Sequence, residues 1–510
     1  MKKILISTLA LSLFAVSCDK TDFDQDVLDV QVTSGDADFK NYVALGNSLT
    51  SGYRDNALYS DGQKESYPAM IAEQMKRAGG GEFTQPLMAD NNGGLLLGTT
   101  QIADTKYFIS NFVAGTPTLS RANNNVATTN VLNKLTGPFN NMGVPGAKVA
   151  HLLAPGYGNA AGIGSSANPY FVRFASSPTT SVIADFVAQS PTFFSLWIGN
   201  NDALLYALAG ADSSIETLTP AAQFTGYYNM LISQIKATGA KGVIANIPDV
   251  TTIPNLTTFP HNPLTSAVLG LGDVTVGEAT IDNLNANLYG PLNQILSNFN
   301  AGDRIKPLSK TAANPLLIVD ESLPNLSAQI TFAAQNSGNP TLVALASYLG
   351  LVYGQARQAT AEDLVPLSSK DAIGTVQTLP PGVPASLGAR GIAYPFADKY
   401  VLTKTEVTEV NTAIAAYNVT IKEAAESNGY AFVDANAKMK ELASASGIQW
   451  DGVKYTAKFV TGGSFSLDGV HLTGRGYGII ANEFIKSINA KYRSNLPLVN
   501  PNKYSGVTFP

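Results

Sequence analysis

From residue 40 onward the chain alternates short apolar runs with amphipathic stretches. The clearest runs are NYVALG (41–46), FFSLWIG (193–199), KGVIANIPD (241–249) and YAFVDAN (430–436). They are too continuous for strands with one wet face and predict strands covered on both sides. Between the runs, apolar positions recur every three or four residues. Phe224, Tyr228, Leu231 and Ile235 share one helical face after the start signal Thr219-Pro220. Val407, Val410, Ile414, Tyr417 and Ile421 share another, opened by a Thr403…Glu406 capping box and closed by Asn428-Gly429. Tyr477, Ile480, Phe484 and Ile488 mark a third. Buried strands alternating with helices imply an α/β fold around a parallel sheet.

Two long stretches break this rhythm. Residues 79–136 are rich in Gly, Asn and Thr and read as loops with little regular structure. Residues 250–400 separate a strand from the helix that should follow it within a few residues. They contain TLVALASYLGLVYGQA, long enough for a buried helix, and the Pro/Gly-rich TLPPGVPASLGARG. With no internal period they read as an inserted cap, mainly helical or irregular.

A chain of 510 residues that is 45% hydrophobic and 14% charged can bury a large core, whereas disorder needs the opposite balance. The net charge of −5, with no Lys/Arg block beyond the extreme N-terminus, excludes the basic face that nucleic acid requires. At that terminus MKK precedes ILISTLALSLFAV, a basic and an apolar region too short to span a bilayer comfortably, which together read as a signal peptide. It runs into AVSC, and Cys18 is the only cysteine. A lone cysteine there resembles the lipobox of bacterial lipoproteins, with Ala15 where leucine is commoner. The resemblance implies lipid on Cys18 and an otherwise soluble protein anchored in the cell envelope. One cysteine permits neither an intrachain disulfide nor a thiolate metal site, and no cofactor or metal is expected. Asp22, Asp24 and Asp26 are spaced like a calcium loop, but the glycine at the sixth place is missing and Thr33 stands where a glutamate belongs. The segment therefore reads as an acidic tether. Acidic residues in this place also resemble surface-export signals of some Gram-negative lipoproteins, which points to the outer membrane.

The chemistry turns on three histidines. His151, in AKVAHLLA, and His261, in TFPHNPL, read as packed or surface side chains. His471 lies in SFSLDGVHLTGRGYG, three residues after Asp468 and just before the last amphipathic helix. An Asp-x-x-His loop lets the carboxylate curl back onto Nδ1 and leaves Nε2 facing outward, the orientation a serine nucleophile's base needs. A serine in a suitable place is Ser48, in YVALGNSLTSGY at the end of the first predicted strand.

Four segments, taken in order, resemble the SGNH (GDSL-type) hydrolase superfamily. GNSLT resembles its first block and implies Ser48 as nucleophile. NMGVPGAKV (141–149) resembles the second, with Gly146. GNND (199–202) resembles the third, with Asn201, and DGVH the last, with Asp468 and His471. The resemblance covers residues 40–150, 185–250 and 400–492. It implies a three-layer α/β/α sandwich on a flavodoxin-like parallel sheet of about five strands. It also implies an oxyanion hole made by the Ser48 and Gly146 N–H groups and the Asn201 amide. One departure is Asn47, where the family usually has aspartate; either side chain can close an Asx turn over the N–H groups that follow. Asp202 reads as a holder of the Asn201 loop and Trp197 as core. The pieces GYGNAAGIG and GLGD are not nucleotide fingerprints, since neither follows a clear strand and opens a helix.

The expected organisation is a signal peptide (1–17), an acidic tether (18–39), a discontinuous hydrolase domain (40–250 and 400–492), an inserted cap (251–399) and a C-terminal tail (493–510). The expected activity is hydrolysis of carboxylic esters through an acyl-enzyme, by an esterase or lipase. The alternatives are an acetyl esterase acting on carbohydrate, and a lipoprotein that binds glycan or lipid on the same scaffold without catalysis.

Overall fold

A computed structural model describes residues 31–113 and 115–510; the signal segment, Cys18 and the acidic run 22–26 lie outside the described residues. The core is a sheet of five strands: β1 (Tyr42–Gly46), β2 (Asn141–Gly143), β3 (Phe193–Trp197), β4 (Lys241–Ala245) and β5 (Ala431–Val433). Their spatial order is β2-β1-β3-β4-β5, and every neighbouring pair is parallel. This is the flavodoxin-like doubly wound order, whose direction of winding reverses between β1 and β3. Alternate strand residues feed two separate cores. Val43, Leu45, Phe194 and Leu196 pack on one face against helices Ala221–Ala237 and Lys404–Ser427. Tyr42, Ala44, Phe193 and Trp197 pack on the other against helices Tyr67–Lys76 and Gly474–Tyr492. Apolar side chains on both faces explain why each strand reads as an unbroken apolar run.

The helices that matter below are α1 (Ser48–Ser51), α2 (Val149–Leu153), α3 (Asn201–Leu208), α4 (Lys404–Ser427), α5 (Ala435–Ala443) and α6 (Gly474–Tyr492). All three helices expected from periodicity are present. The capping box of α4 is formed, with the Thr403 N–H donating to Glu406 Oε2 at 2.6 Å. Among the described residues no helix is long and apolar enough to cross a membrane.

Four expectations need correction. Residues 79–136 hold more regular structure than expected: Gly93–Leu97 pairs with Thr100–Thr105, and Tyr107–Val113 with Thr116–Arg121, as antiparallel hairpins. Their Gly and Asn content marks the turns (Gly98 and Gly115 have φ of +64° and +80°), while Thr, Ile and the aromatics fill the strands. The tether does not run to residue 39. Phe39 is 2% exposed and meets Phe193 edge-on at 5.0 Å, because the apolar end of that segment finds an open flank of the sheet. The tail is not loose either, since Leu496 and Val499 join the same core and the Val499 N–H donates to Asn482 Oδ1 at 2.8 Å. The helix Pro340–Tyr353 is buried along one side only, with Val343 and Leu351 exposed, because its other side packs on the cap's own core around Tyr289, Ile330 and Tyr353.

The cap also overlaps the main core at its ends. Val250, Ile253 and Leu256 belong to the core shared by β1, β3 and α4. Arg357 of the cap bridges Asp320 and Asp363 at 2.6 Å each, and Asp363 accepts the Lys404 N–H at 3.0 Å, tying the cap to the start of α4. If residues 31–39 are structural, Phe39→Ala will cost about 3–5 kcal/mol in denaturant unfolding, the usual penalty for emptying a buried aromatic site. A loss below about 1 kcal/mol would return that segment to the tether.

Candidate active site

Strand β1 ends at Gly46, and α1 begins two residues later. A Cβ on Gly46 would lie 2.4 Å from the Trp197 carbonyl, and one on Gly143 2.3 Å from the Ser51 nitrogen. Two glycines therefore let α1 sit directly on the sheet edge. Asn47 caps α1, its Oδ1 accepting the Leu49 N–H at 3.1 Å. Ser48 is the first residue of α1, at the carboxyl ends of β1 and β3 where the sheet order reverses. That crevice is where open α/β sheets bind ligands.

His471 Nε2 lies 2.8 Å from Ser48 Oγ, and His471 Nδ1 lies 2.9 Å from Asp468 Oδ2. The three side chains expected from sequence thus form one continuous hydrogen-bonded line. The carboxylate is held on all sides. Oδ1 accepts the Val470 and His471 N–H groups, both at 2.8 Å, and the Ser466 hydroxyl at 3.1 Å, while Oδ2 also accepts the Asn56 N–H at 2.9 Å. Burial alone would raise the Asp468 pKa. The charge of His471 and the hydrogen bonds from His471 and Val470 outweigh it and hold the carboxyl far below the ordinary range. The Tyr53 ring packs on the imidazole, 4.7 Å between centroids, and fixes its plane.

The Ser48 and Gly146 backbone N–H groups find no acceptor among the described residues. For Ser48 that follows from its place in the first helical turn. Gly146 reaches its position with φ at +80°, which an L side chain rarely adopts, and a Cβ there would meet nothing within 4 Å, so it faces open space. Asn201, the first residue of α3, gives one amide proton to the Ala147 carbonyl at 3.0 Å and keeps the second for the cavity it shares with Ser48.

Asp202 ties these loops together. It accepts the Val149 N–H at the start of α2 and the Thr219 hydroxyl, each at 3.0 Å, so the Gly146 loop and the Asn201 helix are fastened to one carboxylate. Burial pushes its pKa up to about 6 in spite of those bonds. A carboxyl whose folded pKa is raised contributes stability that is complete below about pH 4 and lost as the pH climbs through 6. Asp202→Asn is therefore expected to flatten the stability-versus-pH curve between pH 4 and 7 by about 3 kcal/mol relative to the parent, read by denaturant melts at the two ends. Parallel curves for the two proteins would refute this role.

The other histidines lie elsewhere. His151 Nδ1 accepts the Lys148 N–H at 3.1 Å, capping α2, and its ring stacks on Tyr157; burial lowers its pKa. His261 is in the cap, where its carbonyl accepts the Leu316 N–H. Among the described residues no group of three or more His, Cys, Asp and Glu side chains converges to hold a metal ion. Trp197 is buried as expected, donating to the Asn246 carbonyl at 3.0 Å, and it also lines the cavity beside Ser48. Sequence reasoning missed Asn56, Ser466 and Asn255. Asn255 opens the cap, donating its backbone N–H to the Gly469 carbonyl and its side-chain amide to the Asp468 carbonyl, both at 2.9 Å. No motif signals Asn56 and Asn255, because their contacts run through backbone groups of distant loops, and Ser466 acts by a hydroxyl two residues from Asp468.

Beside Ser48 and His471 opens a cavity lined mainly by apolar side chains. Comparison of the chain with protein-family models, with curated proteins and with solved structures gave no match.

Proposed function

We propose that the protein is a serine ester hydrolase of the SGNH kind, splitting carboxylic esters by acyl transfer to Ser48. The observation that carries this reading is the Ser48–His471–Asp468 line, 2.8 and 2.9 Å long, set at the switch point of the sheet beside unpaired N–H groups. Asp468 stays ionised and holds the proton of His471 on Nδ1, so that Nε2 can accept the Ser48 proton as Oγ attacks the ester carbonyl. The negative charge that develops on the carbonyl oxygen meets the Ser48 and Gly146 N–H groups and the free amide proton of Asn201. These donors are already in place and need no reorganisation. His471 then protonates the leaving alcohol. Water, activated by the same imidazole, releases the acid from the acyl-enzyme. The reading keeps Cys18 as a lipidated residue and places the enzyme in the bacterial cell envelope.

The test is steady-state hydrolysis of p-nitrophenyl esters by the purified protein, beside an Asn201→Ala variant. The parent is expected to turn over, and the variant to lose about 10²–10³-fold in kcat with little change in KM, as for one oxyanion donor. A folded parent with no ester hydrolysis would overturn the assignment.

A further inference from the structure

We propose that the cavity beside Ser48 receives the acyl chain, so that the substrates are esters of medium- or long-chain aliphatic acids, an assignment that rests on the hydrolase reading above. The cavity is lined mainly by apolar side chains, with a few polar groups among them, as sites that take small organic ligands are. Its walls come from separate elements. Leu204 of α3 and Val250 and Ile253, which follow β4, form one side. Met439 and Leu442 of α5, with Ile448 of the short hairpin after it, form the other.

Beyond Ser48, His471 and Asn201, the polar residues on these walls are few: Asn47, whose Oδ1 is taken by the Leu49 N–H, Asn200, Lys438 and Ser464. The Lys438 ammonium is already taken by Glu441 at 2.7 Å and Glu483 at 3.3 Å. Asn200 Oδ1 and Ser464 Oγ are buried without a partner among the described residues and can meet one hydrogen bond each. A sugar ring buried here would leave most of its hydroxyls unpaired, at a cost each time. An aliphatic chain incurs no such cost and gains from every methylene it removes from water. The acyl half therefore enters the cavity, and the alcohol half lies toward the open space in front of Gly146.

The experiment is kcat/KM for p-nitrophenyl acetate, butyrate, octanoate and dodecanoate, measured on the full protein, on Ser48→Ala, and on two wall variants, Ile448→Phe and Met439→Phe. For the parent, kcat/KM is expected to rise about 10²-fold from butyrate to octanoate, from roughly fourfold per buried methylene. Each wall variant that keeps its thermal midpoint is expected to lower the octanoate-to-acetate ratio at least about tenfold; two variants on different elements guard against one failing to fold. A flat or falling series, with acetate hydrolysis still dependent on Ser48, would overturn the acyl-chain assignment and leave the hydrolase reading standing. An unchanged ratio in both folded variants would overturn it equally. No Ser48-dependent hydrolysis of any ester would sink the underlying reading itself.

Discussion

Ser48→Ala is expected to lower kcat for ester hydrolysis by about 10⁴–10⁶-fold while leaving the thermal midpoint close to that of the parent. The size follows from what the hydroxyl does. In the proposed reaction its oxygen bonds to the acyl carbon, and the methyl of alanine cannot replace it. What survives is the background contributed by binding and by the oxyanion donors, both of which outlast the substitution. The small stability effect follows from the site: the hydroxyl contacts His471 at the crevice, while the cap of α1 belongs to Asn47. Because Ser48 and His471 work as one unit, His471→Ala should cost about as much, and the double variant no more than either single one. Additive losses in burst and steady-state kinetics would mean that the two side chains act separately, and that the 2.8 Å contact is not the path of the proton.

Asp468→Asn is expected to cost about 10⁴-fold in kcat at neutral pH. The carboxylate does two things at once. It accepts the His471 Nδ1 proton, and it faces the positive imidazolium that forms when Ser48 is deprotonated. An asparagine can offer its NH₂ to Nδ1, which moves the ring proton to Nε2 and leaves nothing to accept from the serine. The pH behaviour separates this from simple damage. Hydrogen bonding and the neighbouring imidazole hold Asp468 far below the ordinary carboxylate range against the opposing effect of burial, so it stays ionised through all ordinary assay conditions. Its contribution to stability is present above about pH 4 and disappears only as the pH falls through its much lower folded pKa. The parent's pH–rate profile therefore carries no step from Asp468 between pH 4 and 9, and the asparagine variant loses rate without gaining a new acid limb. An acid limb abolished by Asp468→Asn would show that the carboxylate titrates in that range after all.

The legible part of the molecule was the part fixed by short-range patterning. Buried strands announce themselves as apolar runs, and β1, β3, β4 and β5 were all visible, though β3, β4 and β5 end a few residues before their runs do, where the chain turns toward the site. Strand β2 has three residues, Asn141–Gly143, too few to show any period. The hairpins between residues 93 and 121 were hidden because their Gly and Asn turn residues dominated the composition. In the site, Ser48, Asp468 and His471 were findable because only three histidines exist and one has an aspartate three residues away. Ser466 holds the carboxylate from two residues away, whereas Asn56 touches it only because the chain returns to the same crevice across more than 400 residues. A contact of that kind leaves no spacing to read.

The two hydrogen bonds that Asn255 makes to the loop of Asp468 and Gly469 have a consequence for modularity. The first turn of the cap is a buckle on the Asp468 loop, and Val250, Ile253 and Leu256 around it are embedded in the core shared with β1 and β3. A minimal enzyme obtained by cutting at the compositional boundary near residue 250 would leave that loop unfastened. The edge of the cap runs later than residue 250, and its return lies beyond Ala393, which still packs in the cap's own core with Tyr289 and Tyr353. The boundary that composition suggests and the boundary that packing sets therefore fall at different places in the same chain.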